Sequence, residues 1–150
     1  MISLKVILAI LIAHFIADFV LQTDKQARGK SKNWNDLLGH TFKYSIVIGF
    51  LSCFILYPYK YGVLEPCLFM FITFVCHTIT DFFTSRLNSR LYAKVEHYRA
   101  MKQEYLHESD KWNYYDKKQG LAAHNFFVSI GFDQLLHYAQ LFITYYLLTK

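Results

Sequence analysis

The chain is short of charge. Asp, Glu, Lys and Arg make up 18% of its 150 residues, against roughly one quarter in an ordinary soluble domain. That leaves little to cover a water-exposed helical bundle, which weighs against a soluble, all-buried one. The apolar residues do not alternate with polar ones; they fall in runs. No C-x-x-C pair occurs: Cys53, Cys67 and Cys76 stand apart in apolar segments, as reduced, buried packing residues would. There is no repeat of solenoid type and no low-complexity tract. One domain over residues 1–150 fits the length.

Apolar residues make up 54% of the chain and aromatics 19%. Residues 2–22, "ISLKVILAILIAHFIADFVLQ", hold one cation, one anion and one His. Residues 63–83 hold two acids and one His, residues 126–148 one acid and one His, and residues 44–57 no charge at all. A transmembrane helix needs about 20 mostly apolar residues. The sequence therefore predicts an all-α bundle of four transmembrane helices, at about 2–22, 38–57, 63–85 and 124–148. The first lacks a small-residue cleavage site and is interrupted by an acid, so it reads as a retained span and not a signal peptide.

Lys and Arg set the orientation. Lys25, Arg28, Lys30, Lys32 and Lys43 follow the first span, and Arg86, Arg90, Lys94, Arg99, Lys102, Lys111, Lys117 and Lys118 follow the third. The opposite side has Lys5, Lys60 and Lys150. This predicts a multi-pass inner-membrane protein with both termini outside the cytoplasm. The net charge of +5 then lies on the cytoplasmic face, where it can attract anionic lipid headgroups. Membrane lipids are the expected partners. Nucleic acid is not, because no binding motif accompanies the charge.

Residues 86–120 carry Leu91, Val95, Tyr98, Met101, Tyr105 and Trp112 near helical spacing, with basic residues between them. This predicts a basic amphipathic segment lying on the membrane surface; a solvated helical hairpin extending the third span is the other reading. Gly120 marks an expected turn before the fourth span.

Ionisable residues inside a span are expensive, about 2.5 to 3.5 kcal/mol for a central Asp. Yet the chain has three such pairs: His14 with Asp18, His77 with Asp81, and Asp133 with His137. Each is spaced i,i+4 and projects from one helix face. His precedes Asp in the first and third spans, and Asp precedes His in the fourth. Because the fourth span runs the other way, every Asp lies nearer the cytoplasm, with its His about 6 Å deeper. Asp18 and Asp81 fall about 24 to 27 Å from the outer surface, and Asp133 about 11 to 18 Å from the inner one. His40, and Asp36 less directly, enter near the Asp level from the second span.

Imidazole with carboxylate suits a divalent ion such as Zn, Mn or Fe, and i,i+4 pairs can ligate one metal from one helix. His14, Asp18, His77, Asp81, Asp133 and His137 are the expected ligands. His40, Asp18 and Asp81 are the expected catalytic residues, His40 as ligand or acid/base and a spare carboxylate as general base. Each pair taken alone is equally a hydrogen bond offsetting its own burial; three pairs of one polarity at one depth favour a site. Lys30 and Arg86 read as snorkelling topology anchors before they read as phosphate ligands, and Gln22 as a residue of the cavity mouth or a cap. His124 falls on the opposite helix face, and His97 and His107 fall in the hydrophilic stretch.

At "HFIADFVLQTDKQARGK", "HTITDFFTSRL" and "DQLLHYAQL" the sequence resembles a family of small bacterial and phage membrane proteins, domain of unknown function 3307. The resemblance spans most of the chain, and its pattern maps onto His14, Asp18, Gln22, His40, His77, Asp81, Asp133 and His137. The family pattern has a basic residue where Thr84 stands here. More distantly, the paired His and Asp resemble those of bacterial membrane-bound metal-dependent hydrolases, by analogy only. The expected function is a metal-dependent hydrolase acting on a lipid or polyprenyl headgroup at the cytoplasmic leaflet. Two alternatives stay open: a non-enzymatic membrane binding or regulatory protein, such as a phage envelope-modifying factor, and an ion or proton translocator. The translocator needs a polar path through the outer half, where the sequence suggests none.

Overall fold

The computed structural model describes residues 2–57 and 62–150; Lys60, assigned above to the outer side, lies outside them. All regular structure among the described residues is helical. Ser3 caps α1 (Leu4–Phe15), its hydroxyl accepting from the Val6 amide at 3.3 Å. The helix then widens into a π-helical turn, Ile16–Val20, closed by the Leu21 amide donating to the Ile16 carbonyl at 2.9 Å. Thr23 and Gln26 form a capping box that opens the short α2 (Asp24–Gly29). Asn33 caps α3 (Trp34–Ile55), accepting from the Asn35 amide at 2.9 Å. α4 (Leu64–Glu104) and α5 (Ser109–Leu148) complete the chain.

α4 is the spine. It packs along α5 and against α3, and α1 closes the bundle by touching α3 and α5. Its 41 residues make a rod about 60 Å long, twice the roughly 30 Å of a bilayer core. The far half pairs with the first half of α5 as an antiparallel hairpin. Tyr92 meets Phe126 at 5.5 Å, Tyr105 stacks on Tyr115 at 5.6 Å, and Lys102 pairs with Asp116 at 3.0 Å. The hairpin reading of 86–120 is therefore the correct one, and the segment is not a separate helix lying flat. Val95, one of its amphipathic residues, is buried between the arms. Gly120 makes no turn; it sits within α5. A lone helical glycine costs only about 1 kcal/mol relative to alanine, and tertiary packing outweighs that.

Polarity runs from inside to outside in the reverse of the soluble pattern. The buried side chains include more polar residues than apolar ones, among them His14, His40, His77, Asp81 and His137. Phe50, Phe54, Phe71, Phe83 and Phe127 point outward, each more than 60% exposed. Among the described residues two helices, α3 and α4, are long and apolar enough to cross a membrane, where the sequence predicts four. The α-helical part of α1 stops after 12 residues at its π-turn, and Asp133, Gln134, His137 and Gln140 interrupt the apolar half of α5. The cysteines also differ from expectation: Cys53 and Cys67 face outward and Cys76 is half-buried.

Gly49 sets the closeness of α3 and α4. A Cβ at this position would lie 2.9 Å from Met70 Cβ, an atom too near its own backbone to swing away. Gly49→Ala should destabilise the detergent-solubilised protein by about 1–3 kcal/mol. Gly131→Ala, where a Cβ meets nothing within 4 Å, should be neutral or slightly stabilising. Thermal melts of the two variants would check the contrast; equal melting temperatures would contradict it.

Candidate metal centre

All four long helices bring ionisable groups to one place. α1 supplies His14 and its π-turn Asp18; α3 supplies His40; α4 supplies His77 and Asp81; α5 supplies Asp133 and His137. Each of these seven residues is at least nine-tenths buried. The π-turn shifts Asp18 relative to a straight helix, and such turns recur at functional sites. His14 and Asp18 stay on one face, 3.9 Å apart.

Among the described residues two groups have ligand atoms close enough together to hold an ion: Asp18, His40 and His77, and His77, Asp81 and His137. His40 Nε2 stands 3.1 Å from Asp18 Oδ1, 3.2 Å from His77 Nε2 and 3.4 Å from Asp81 Oδ2. One imidazole nitrogen carries at most one hydrogen and cannot serve three neighbours. His137 Nε2 lies 3.3 Å from both Asp81 Oδ1 and Asp133 Oδ1. The angles are not those of hydrogen bonds, and all three atoms are left without a partner. Buried polar atoms are ordinarily satisfied. Ligand atoms that converge in this way could hold a cation.

His14 is engaged differently. Its Nδ1 meets the Tyr44 hydroxyl and its Nε2 meets Gln134 Oε1, each at 2.7 Å. Gln134 in turn donates to Asp18 Oδ2 at 3.2 Å. Tyr44 also lies flat on the His77 ring, with centroids 3.8 Å apart. His14 thus orients its neighbours through Tyr44 and Gln134, while Asp133 borders the second group through His137. Asp36 lies apart, 4.0 Å from Lys25.

Lys30 reaches in from the loop after α2. Its Nζ lies 3.0 Å from Asp81 Oδ2, and its side chain is only 14% exposed. Burial alone would lower the pKa of this ammonium; Asp81 and Asp18 outweigh it and hold the pKa above the ordinary lysine value. The anchor reading of Lys30 is therefore corrected: the residue belongs to the site. Gln22 sits beside it. With its amide nitrogen turned toward the Asp18 carbonyl, its oxygen accepts from Lys30 Nζ at 3.3 Å. Arg86 is not part of the group; it lies over the Phe82 ring at 3.7 Å and donates to the Phe82 carbonyl.

Toward the end of the bundle that carries both termini, the core is not purely apolar. Gln140 donates to Thr73 Oγ1 at 3.3 Å and Thr144 Oγ1 at 3.2 Å, and Ser52 and Glu65 are buried farther on. These buried groups stand in the half where the sequence suggests no polar path. Small hydroxyls within an apolar run carry little periodic signal.

The family model described as protein of unknown function (DUF3307) matches residues 6–150. The chain belongs to this family. No curated protein and no solved structure matches the chain.

Membership in DUF3307 agrees with the resemblance carried by the His and Asp motifs. Three residues of the site escaped the sequence reading as members: Lys30, Tyr44 and Gln134. Tyr44 stands i+4 from His40, so helical spacing could have found it. Gln134 directly follows Asp133 and gave no such signal.

Lys30 is bonded to the buried Asp81 carboxylate. In chelator-treated protein, Lys30→Met should destabilise by about 3–5 kcal/mol, because it strands the Asp81 carboxylate. Lys30→Met with Asp81→Asn should recover most of that loss. A thermal-melt double-mutant cycle measures the coupling; additive losses would show that the two residues do not interact.

Proposed function

We propose that this DUF3307 protein is a four-span inner-membrane hydrolase that uses a divalent ion, Zn, Mn or Fe, on a lipid or polyprenyl headgroup at the cytoplasmic leaflet. The outward-facing phenylalanines of every long helix support insertion, since so much apolar surface is poorly suited to water. The charge on the hairpin and the loop after α1 supports a cytoplasmic position for that end.

The observation that carries the metal is the crowding at His40 Nε2, with a nitrogen and two carboxylate oxygens within 3.4 Å. Charge points the same way. Asp18, Asp81 and Asp133 face one lysine, and two further positive charges would balance them inside a low-dielectric core. Asp18, His40, His77, Asp81 and His137 would hold the ion. Because His77 belongs to both groups, we favour one ion over two. A bound ion of this kind polarises phosphoryl or acyl oxygens and makes water acidic enough to react near neutral pH.

The remaining residues have their own tasks. Asp133, outside both groups and with no hydrogen bond to Oδ1, would accept a proton from water. His14, Tyr44 and Gln134 fix the ring of His77 and the carboxylate of Asp18. Lys30 lies where an anionic substrate would meet Asp81. The Gln140–Thr73–Thr144 bonds are the observation favouring proton passage as a second reading; proton flux in liposomes that vanishes in Gln140→Leu would select it.

Elemental analysis of detergent-purified protein tests the first reading. Wild type should carry stoichiometric divalent metal, and His77→Ala should lose it. His14→Phe should retain at least part of it, with lower affinity of about 10- to 100-fold, as orienting residues do. Metal-free wild type whose stability does not change on adding Zn, Mn or Fe would defeat the proposal.

A further inference from the structure

A cavity of about 400 Å³ opens beside the centre, between the loop after α1 and the adjoining stretches of α4 and α5. Its lining falls into two kinds. Arg28, Lys30 and Lys32 supply cations, and Ser31, Ser85, Asn88 and Ser89 supply hydroxyl and amide groups. Tyr92, Phe126 and Ile130 supply an apolar wall. No carboxylate lines it among the described residues. Lys30 is already paired with Asp81; Arg28 and Lys32 add two charges that no lining acid offsets, and with several donors they favour an anion, while the apolar wall favours one attached to a hydrocarbon.

Two buried atoms of the polar lining lack hydrogen-bond partners: Ser85 Oγ and Asn88 Oδ1. Ser85 is 7% exposed, so its hydroxyl is withheld from water and has nothing to bond. An unsatisfied buried hydroxyl is costly, which makes it a natural donor to a ligand. Ser85 is one helical turn beyond Asp81, so its hydroxyl and the Asp81 carboxylate lie on one face of α4. Lys30 spans both places, lining the cavity and bonding Asp81 Oδ2 at 3.0 Å. A group held here adjoins the proposed metal ligands.

We infer that this cavity binds the phosphate group of an anionic lipid, with Arg28 and Lys32 neutralising it, Lys30 beside it at the Asp81 end, and Ser85 donating to it. The apolar wall takes the first carbons of the chain or glycerol. Its standing as the seat of the substrate rests on the hydrolase reading above; phosphate binding itself does not.

Phosphorus NMR titration of the full chain, in a phosphate-free neutral detergent, tests this with dihexanoyl phosphatidic acid, dihexanoyl phosphatidylcholine and inorganic phosphate as probes. Phosphatidic acid should bind at least about tenfold more tightly than phosphatidylcholine, as a charge-assisted site requires. Arg28→Gln with Lys32→Gln, both at exposed positions, should weaken it about tenfold or more at unchanged metal content. Ser85→Ala should weaken it severalfold without lowering the melting temperature, because the lost hydroxyl has no partner to leave behind. Inorganic phosphate competing as well as the lipid would uphold the phosphate site and assign it to a free phosphate ester. Absence of phosphatidic acid binding, or binding unchanged in both variants, overturns the proposal whatever the metal content. Metal-free protein that binds phosphatidic acid with the same residue dependence would uphold this site while removing the hydrolase.

Discussion

Carboxylates buried at the centre of an apolar bundle are the constraint on which the rest of the structure depends. Asp18, Asp81 and Asp133 are each at least nine-tenths buried, and an isolated ion in such surroundings is prohibitively unstable. The bundle answers with imidazoles on every side and a lysine threaded in from a loop. The π-turn of α1 and the loop carrying Lys30 belong to that answer: one sets Asp18, the other brings a cation to Asp81. Even so, His40 Nε2 has more close neighbours than one hydrogen can serve, and the groups around His40 and His137 could hold a metal ion.

The same constraint explains why polarity is inverted. In the membrane-inserted reading proposed above, helices facing lipid would gain little by burying leucine, which would leave their inner faces free to hold histidine, threonine and serine. The outer faces carry phenylalanine instead. The hairpin arms of α4 and α5 revert to the soluble rule, with charged outer surfaces and stacked tyrosines between them. One pair of helices thus has two patterns along its length, and the His and Asp groups sit near the change from one to the other.

Much of the candidate site was legible because helices make spacing meaningful. The i,i+4 pairs and their reversed order in the antiparallel helix put His14, His77 and His137 together and Asp18, Asp81 and Asp133 beside them. His40 followed from the direction of α3. Lys30 did not follow, since a loop has no period and a lysine there reads as a topology anchor. His14 looked equivalent to His77 and His137 in spacing, yet Tyr44 and Gln134 occupy its nitrogens. The hairpin was one of two readings of 86–120, because an amphipathic stripe does not say whether its apolar side meets lipid or another helix.

Composition and periodicity by themselves determined that this chain is helical, poor in charge, and equipped with three His and Asp pairs of common polarity. These are properties of single helices, fixed by local geometry. Tertiary structure alone decided which pairs share a centre, which imidazole is already engaged, that Lys30 joins Asp81, and that a cation-lined cavity opens next to them. Those depend on atoms far apart in the chain meeting within a few ångströms, and such meetings are set by how helices pack against one another, which no repeat along one helix encodes.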